Sequence, residues 1–404
     1  MKWLKRAGWF FCIAACCEAG LWLALVIKEG QLVTPHQVVE RFLKLSYDSK
    51  KGCSFLGQLS LHPYLGYTYR TMPVSRCNFA VNSQMLSGPE HPVKPAADTF
   101  YVLFTGGSVA EHLLNEKNSD GTHYLTAEFN QAFKAPAPYR KFAVIGAAVG
   151  DWRMPQQLIA MNLFHQSIDA VIDVSGFNEL FSYLGTNFPY EYSPLISQLV
   201  MQRGEVGRGS ELSRDLEVLR RWPLLAHTGV TAWWLKWRIG RAVTHTHDEH
   251  LRLSRQWGLR TENNPLARDK LQEKIDYHRG LLRNIAGVCQ VNHWYCASFL
   301  QPMPLIAKPL SREENAFQDD FYETPEHRAS VGGVYRLMID ELTKPLAAGI
   351  YLGDLSRVFE RHPESIYADQ IHYIQNPSGP SKGNQLLVKE LFAQLEKRWK
   401  LKRR

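Results

Sequence analysis

Short apolar runs recur along the middle of the chain, and each ends in a turn that contains glycine. The clearest three are Phe100–Phe104, Lys141–Ile145 and Asp169–Val174, and a helix-compatible stretch follows each of them. Apolar runs of this length are typical of parallel strands that are buried on both faces. Trp294–Leu300 and Gly349–Leu352 are further candidate strands. The pattern therefore predicts an α/β fold built on a parallel sheet.

This rhythm of strand, turn and helix is interrupted between residues 190 and 286 by long charged and amphipathic stretches, including Glu211–Trp222 and Leu251–Ile285. We interpret this part as a helical insertion that walls or covers the site of the sheet domain. Within it, Trp233–Arg238 combines indoles with cations, as membrane-surface helices often do. Packing of these tryptophans inside the insertion is the simpler interpretation.

Length and composition agree with one main domain. A chain of 404 residues with 45% apolar residues can bury a large core and lies at the upper end of what one elaborated domain holds. We predict that residues 29–98 form a pre-domain ending in the linker Pro92–Ala97, and that residues 99–404 form the main domain.

The N-terminus carries a candidate membrane segment. After the basic stretch Met1–Arg6, the chain is apolar for 21 residues from Ala7 to Ile27 except at Glu18, which is long enough for a helix to cross a bilayer. We predict that residues 1–28 are a signal anchor, with the N-terminus in the cytoplasm and the rest of the chain exported. Glu18 is the costly residue in this helix, because a carboxylate is unfavourable at mid-depth in a bilayer.

The same segment has a second interpretation. Ile13–Cys16 resembles a bacterial lipoprotein cleavage box, and cleavage there would leave Cys16 as a lipidated first residue. The apolar run continues past the box from Leu21 to Ile27, which favours the uncleaved anchor. Both interpretations place the rest of the chain outside the cytoplasm while it stays attached to a membrane.

Cysteine usage agrees with export. Four cysteines lie outside the apolar segment, and local pairing, Cys53 with Cys77 and Cys289 with Cys296, is the simplest of the three arrangements. Four reduced, partly buried cysteines are the alternative.

The net charge of +8 is a property of the chain ends. Nine positive residues lie there, and they exceed the whole net charge: Lys2, Lys5, Arg6, Lys397, Arg398, Lys400, Lys402, Arg403 and Arg404. The body between them is close to neutral, so we expect no nucleic-acid partner.

Four short segments carry the candidate chemistry. Ser108, Gly150 and Asn178 each follow a candidate strand, and the C-terminal ends of parallel strands are where α/β sheets bind ligands. Asp369 and His372 lie three residues apart near the C-terminus. Together these residues supply a serine, oxyanion donors, a histidine and an orienting carboxylate, which are the groups needed to hydrolyse or transfer an acyl group.

The ordered series Gly106-Gly107-Ser108, Gly150, Asn178 and Asp369-x-x-His372 resembles the four sequence blocks of the SGNH hydrolases, also called GDSL-type esterases. More narrowly, the chain is similar to membrane-anchored bacterial members of that superfamily. The similarity spans residues 61–395 outside the insertion and includes these segments: His62–Tyr67, Asn82-Ser83, Leu300–Pro302, Ser311–Glu314 and Asp354–Ser356. The resemblance implies a three-layer α/β/α fold with a flavodoxin-like parallel sheet.

The resemblance also implies a role for each residue. Ser108 would be the nucleophile, His372 would take and return its proton, and Asp369 would orient the imidazole. The backbone N–H groups of Ser108 and Gly150 and the side-chain amide of Asn178 would donate to the oxyanion. Three positions depart from the family pattern: Gly107 replaces an aspartate, Gly146 replaces a common asparagine, and Glu179 stands where an aspartate often follows the asparagine.

Each segment has another interpretation when taken alone. A Gly-Gly-Ser turn can bind phosphate, although the Gly-Lys-Ser/Thr of a P-loop is absent from it, Asn178 can cap a helix, and Asp369 with His372 can form a structural pair. The order of all four segments favours catalysis. His245–His250 contains three histidines, but we interpret it as a solvated stretch and predict neither a metal nor a cofactor.

We therefore expect an exported serine esterase at the bacterial inner membrane, with its catalytic domain in the periplasm. Its expected substrate is an acyl ester of a cell-envelope glycan or lipid. An O-acyltransferase of an envelope polysaccharide is an alternative, because it uses the same acyl-enzyme and differs only in whether water or an alcohol attacks second. Two other classes are a noncatalytic carbohydrate-binding or assembly protein with this fold and a nucleotide-binding protein.

Overall fold

The computed structural model describes residues 9, 15–24, 26, 27, 59–69, 81–184, 228–234, 237, 268–322, 324–346, 349–376 and 378–404. The chain divides into two compact units. The N-terminal unit comprises residues 1–58 and 197–253, and the sheet unit comprises residues 59–196 and 254–404. The predicted domain boundary at residue 98 therefore falls inside the sheet unit.

The sheet unit contains nine strands and eight α-helices among its described residues. In chain order they are β1 (Leu59–His62), β2 (Gly66–Tyr69), β3 (Thr99–Gly106), α1 (Ser108–Asn115), α2 (Tyr124–Ala132), β4 (Phe133–Lys134), β5 (Lys141–Ala148), α3 (Gln156–Leu163), β6 (Ala170–Ser175), α4 (Phe177–Leu184), α5 (Arg268–Val291), β7 (Tyr295–Leu300), α6 (Arg312–Tyr322), α7 (Pro325–Leu342), β8 (Tyr351–Asp354), α8 (Lys382–Trp399) and β9 (Lys402–Arg403). A short 3-10 turn at His165–Ser167 precedes β6.

The central sheet has five parallel strands in the spatial order β5-β3-β6-β7-β8. The first of these strands along the chain therefore lies second in the sheet, which is the flavodoxin-like order. After β3 the chain forms β5 at one edge of the sheet. It then forms β6 on the other side of β3. In such a sheet the connections after these two strands diverge and leave a crevice at their C-terminal ends.

Helices cover both faces of this sheet. All eight residues of β3 and all six of β6 are buried, which happens only when the two faces are both packed. Helix α5 contacts α3, α4 and α7, while α2 contacts α1. The rings of Phe129 in α2 and Phe392 in α8 pack with centroids 4.5 Å apart. The predicted α/β fold with a parallel sheet is confirmed.

The predicted strands match the observed ones closely, with one instructive shift at β8. That strand begins at Tyr351, two residues after the predicted start at Gly349. Gly349 has φ of +109°, a left-handed conformation that a strand does not use. A Cβ at this position would lie 2.6 Å from the carbonyl oxygen of Ala286, so the glycine also permits close packing against α5.

The structure describes the last part of the predicted helical insertion. Residues 268–286 form most of α5, and this helix buries Leu271, Ile275, Leu282 and Ile285 in the sheet unit. Residues 190–227, 235, 236 and 238–267 of the predicted insertion lie outside the described residues.

A disulfide joins the end of α5 to β7 through Cys289 and Cys296. This confirms one of the two predicted local pairs. Cys53 and Cys77, which form the other predicted pair, lie outside the described residues.

In the N-terminal unit, residues 15–24 and residues 229–234 are helical. No helix within the described ranges combines the length and apolar character needed to cross a membrane.

Candidate active site

Two glycines form the tight turn that precedes Ser108. Strand β3 ends at Gly106, and α1 begins at Ser108 directly after Gly107. Gly106 has φ of +146°, and a Cβ there would lie 2.1 Å from the carbonyl oxygen of Val174 in β6. A Cβ at Gly107 would lie 2.3 Å from Nδ2 of Asn178. The absence of both side chains therefore lets the end of β6 and the amide of Asn178 approach the turn that carries the serine.

Asn178 is held in place from the loop after β5. It lies in the first turn of α4, and its Nδ2 donates a hydrogen bond to the carbonyl oxygen of Trp152 at 2.9 Å. Trp152 is fully buried, and its indole N–H donates to the carbonyl oxygen of Tyr67 at 3.2 Å. The side-chain amide is thus fixed by a buried tryptophan that the β1–β2 hairpin in turn supports.

Asp369 and His372 share a tight loop between β8 and α8. An antiparallel bridge between Tyr367 and Tyr373 closes the loop, and the N–H of Ala368 donates to the carbonyl oxygen of His372 at 2.8 Å. Oδ1 of Asp369 accepts the N–H groups of Ile371 at 2.8 Å and His372 at 2.7 Å. This side-chain turn leaves Oδ2 of the same carboxylate directed at the imidazole.

The folded chain brings the three predicted catalytic residues into one line of hydrogen bonds. The Nδ1 of His372 lies 2.7 Å from Oδ2 of Asp369, and its Nε2 lies 2.8 Å from Oγ of Ser108. Ser108 and His372 are separated by 264 positions in the sequence. Both distances are within hydrogen-bond range, so the serine, imidazole and carboxylate form a continuous donor–acceptor chain.

Asp369 is ionised over the whole physiological range. Partial burial by itself would raise its pKa, but the hydrogen bonds from the His372 ring and from the backbone N–H groups of His372 and Ile371 outweigh burial and lower the pKa to about 2. The carboxylate therefore faces the imidazole as an anion, which favours a proton on Nδ1 and leaves Nε2 to accept one.

A buried ion pair is hydrogen-bonded to the start of the loop that carries Asp369 and His372. Nζ of Lys308 lies 2.6 Å from Oε2 of Glu314, and their side chains are 2% and 0% exposed. Oε1 of Glu314 accepts the N–H groups of Ile366 at 2.9 Å and Tyr367 at 3.0 Å, at the start of the loop. Burial would raise the pKa of Glu314, but Lys308 and these N–H groups together lower it. The anion thus ties α6 to the segment that carries Asp369 and His372.

Glu314→Gln is expected to lower the free energy of unfolding by about 3 to 5 kcal/mol, because it leaves the buried Lys308 without a charged partner. Urea unfolding followed by circular dichroism measures the change. The exposed neighbour Glu313 supplies the control, since Glu313→Gln should unfold close to the wild-type midpoint. Lys308→Met combined with Glu314→Gln should recover part of the loss; a single variant as stable as the wild type would contradict this role for the pair.

A second buried carboxyl lies on the same helix as Ser108. Glu111 follows Ser108 by one helical turn, and the hydroxyl of Tyr69 donates to its Oε2 at 2.6 Å. Burial raises the pKa of Glu111 to about 8, although bonds from Tyr69 and from the N–H of Gly150 work in the opposite direction. The N–H of Gly150 lies 3.5 Å from the Tyr69 hydroxyl. This predicted oxyanion donor is therefore oriented toward the Tyr69–Glu111 pair.

Glu111 should make stability depend on pH. Its pKa in the folded protein, about 8, exceeds the ordinary 4.5, so the stability supplied by the protonated form is complete below 4.5 and is lost as the pH rises through 8. Glu111→Gln keeps a neutral side chain at every pH. Between pH 5 and pH 8 the wild type should lose about 3 kcal/mol of unfolding free energy relative to the variant. Urea titrations at both pH values test this; a difference that does not change with pH would contradict it.

His112 lies against the imidazole of His372. It follows Ser108 by four positions on α1, and its ring centroid is 4.7 Å from that of His372. Burial, and then the nearby His372 ring, lower the pKa of His112 to about 4. His112 is therefore neutral at pH 7 and does not oppose a positive charge on its neighbour. The spacing of four on one helix is the sequence signal that could have identified it.

Glu179, one of the departures from the family pattern, supports the site. Its carboxylate accepts the N–H of Gly176 at 2.7 Å and the N–H of Met154 at 3.1 Å, which joins the loops after β6 and β5. Both loops carry predicted site residues, so Glu179 fixes their separation. The histidine-rich segment His245–His250 lies outside the described residues.

No family model and no curated protein matches this chain. Among solved structures, the chain is similar to a "putative acylhydrolase" from Bacteroides fragilis at 12% identity, over 76% of this chain and 91% of that one, with a TM-score of 0.34. It is also similar to an alpha/beta hydrolase enzyme from the metagenome of Lake Arreo in Spain at 12% identity, over 74% and 95% of the two chains, with a TM-score of 0.32. Likenesses of this degree carry no argument about the activity of this chain.

Proposed function

We propose that this protein is a serine esterase of the SGNH type that uses Ser108, His372 and Asp369 to cleave an acyl ester. The observation that carries the proposal is the hydrogen-bonded line from Asp369 through His372 to Ser108, with distances of 2.7 Å and 2.8 Å. A serine is a weak nucleophile until an adjacent base takes its proton, and this line provides the base and the group that orients it.

The reaction begins with attack of the Ser108 Oγ on the acyl carbon. Nε2 of His372 takes the hydroxyl proton as the new C–O bond forms, and the anionic Asp369 stabilises the resulting imidazolium. The same imidazolium then returns the proton to the departing alcohol, which leaves an ester on Ser108. Water activated by His372 attacks that ester, releases the acid and restores the serine.

Two groups are best placed to stabilise the oxyanion. The N–H of Ser108 lies at the start of α1, where helix N–H groups have no partner within the helix. The amide of Asn178 lies over Gly107, and it donates one hydrogen bond to Trp152. Because an amide carries two N–H groups, the second is the one we assign to the oxyanion. Gly150 is the weaker candidate because its N–H is oriented toward Tyr69.

Asn178→Ala is expected to lower kcat by about 100-fold to 1000-fold with little change in KM, because the lost bond is made mainly in the transition state. Steady-state rates with a short-chain aryl ester measure both constants. Asn162→Ala supplies the control, since Asn162 lies on α3 and bonds only to the carbonyl oxygen of Leu158 among the contacts described. A fall confined to KM would argue against the oxyanion role.

The proposal includes location and substrate class. We place the sheet unit in the periplasm of a bacterium, attached to the inner membrane by residues 1–28. The apolar run of that segment and the disulfide between Cys289 and Cys296, which is typical of oxidising compartments, support this placement. An enzyme held at that surface meets acylated glycans and lipids of the envelope, which are the substrates we propose.

The decisive experiment uses the full chain in detergent or lipid discs, offered an aryl acetate ester and then a serine-reactive phosphonate. Turnover together with a phosphonate adduct on the peptide that contains Ser108 would support the proposal. A folded protein that gives neither would overturn it. Adding sugar alcohols during turnover distinguishes the two fates of the acyl group, because a transferase forms a new ester while a hydrolase releases the acid.

A further inference from the structure

Glu18, the carboxylate within the apolar N-terminal run, contacts the start of a second helix in the N-terminal unit. One of its oxygens accepts the N–H of Gly229, and the other lies 3.4 Å from the N–H of Val230. The first N–H groups of a helix have no partner within the helix, and a carboxylate in an apolar segment needs donors. Each group therefore satisfies the other, and the helix dipole adds to the attraction.

Two further contacts hold the helices together. The indole N–H of Trp233 donates to the carbonyl oxygen of Leu21 at 3.3 Å. A Cβ built at Gly229 would lie 3.3 Å from Cβ of Leu21 and 3.4 Å from Cδ1 of Trp22, so the glycine allows the helices to approach closely. The helix that begins after Thr228 thus packs directly on the segment that we propose enters the membrane.

The same pair of helices exposes large apolar side chains. Leu23 and Ile27 on the first helix are 61% and 76% exposed, and Val230 and Trp237 on the second segment are 56% and 54% exposed. In sequence, Trp237 is flanked by Lys236 and Arg238. Apolar and indole side chains beside cations match the boundary between lipid tails and anionic headgroups.

We propose that residues 228–237 are a second membrane-contacting element, which enters an anionic lipid bilayer beside the N-terminal helix. The inference rests on the proposed membrane attachment of residues 1–28 and adds to it a partner for Glu18. The backbone N–H groups of the second helix take the place of water around that carboxylate, so its burial in lipid is less unfavourable. The tryptophans of this segment then contact lipid at the membrane surface, in addition to any packing inside the insertion.

Photolabelling tests the lipid contact. The full chain would be placed in vesicles of phosphatidylethanolamine and phosphatidylglycerol, with an apolar diazirine confined to the bilayer and a thiol scavenger in the water. Mass spectrometry of the digest should find label on peptides from residues 9–27 and 228–237. Peptides that carry the exposed Val93 and Val291 of the sheet unit report on labelling from water and should stay unmodified.

The outcomes separate the two proposals. Label on residues 9–27 without label on residues 228–237 would overturn the inference and leave the proposed anchor intact. Absence of label from both segments would remove the proposed attachment as well. Both segments could also be labelled in vesicles with phosphatidylglycerol but not in vesicles where phosphatidylcholine replaces it. That result would support lipid contact and show that the contact requires anionic headgroups.

Disulfide trapping tests the pairing of the two helices. Leu21→Cys with Gly229→Cys places two Cβ atoms at a separation that a disulfide can bridge after a small adjustment. In a background with Cys12, Cys16 and Cys17 changed to serine, mild oxidation should crosslink this pair. Leu23→Cys with Gly229→Cys is the matched control, because Leu23 is exposed, and it should give much less product. Equal yields from both pairs would overturn the pairing, as would retention of full yield after Glu18→Leu.

Discussion

Ser108→Ala is expected to abolish ester turnover and phosphonate labelling while leaving the fold intact. The variant removes the only atom that can form the acyl-enzyme in the proposed mechanism, so kcat should fall by a factor on the order of 10⁵ or more. A residual rate above that of water alone would still be expected from the oxyanion donors. Alanine is well tolerated at the first position of α1, so circular dichroism and the thermal midpoint should match the wild type.

A matched serine makes this result specific. Ser167 lies in the short 3-10 turn before β6 and donates to the carbonyl oxygen of Pro92 at 3.3 Å. Ser167→Ala should retain wild-type turnover and labelling. Comparable loss in both variants would point to a general effect on folding, and retained labelling in Ser108→Ala would place the nucleophile elsewhere.

Asp369→Asn should lower kcat by a factor on the order of 10⁴ with a much smaller change in KM. The wild-type carboxylate uses Oδ1 for two backbone N–H groups and Oδ2 for the imidazole. An asparagine offers one oxygen, which stays with the backbone, and turns an NH₂ group toward Nδ1. The imidazole then carries its proton on Nε2, where it cannot accept the proton of Ser108.

Nitrogen NMR of labelled histidine reports the tautomer of His372, which a change in stability alone would not alter. In the wild type, the His372 signals at neutral pH should report a proton on Nδ1, and in Asp369→Asn they should report one on Nε2. Asp120→Asn is the control, since Asp120 lies on the surface and bonds to Thr122. An unchanged tautomer together with a large loss of kcat would mean that Asp369 acts in another way.

The sequence was sufficient to predict the parallel sheet and three residues that the folded chain brings together, Ser108, His372 and Asp369. Buried parallel strands have a distinctive apolar pattern, and Ser108, Asp369 and His372 follow a motif order that few other arrangements share. The strand order placed the turn after β3 beside the turn after β6, which brings Ser108 and Asn178 to one crevice. Local pattern and topology together therefore accounted for most of the candidate site.

The residues that support the site were not predictable in the same way. Glu314 accepts the N–H groups of Ile366 and Tyr367 from more than 50 positions away, and Glu111 meets Tyr69 across 42 positions. The charged outer face of α5 resembled an insertion, although its inner face, which includes Ile275 and Leu282, belongs to the core. Contacts of this kind depend on tertiary packing, which hydrophobic periodicity does not describe.

Gly107 and Asn178 are sterically coupled. The amide nitrogen of Asn178 lies 2.3 Å from where a Cβ at position 107 would be. Any side chain at position 107 would therefore have to displace the amide of Asn178 or change the turn. The smallest residue in the chain thus sets how close the amide of Asn178 comes to the backbone beside Ser108.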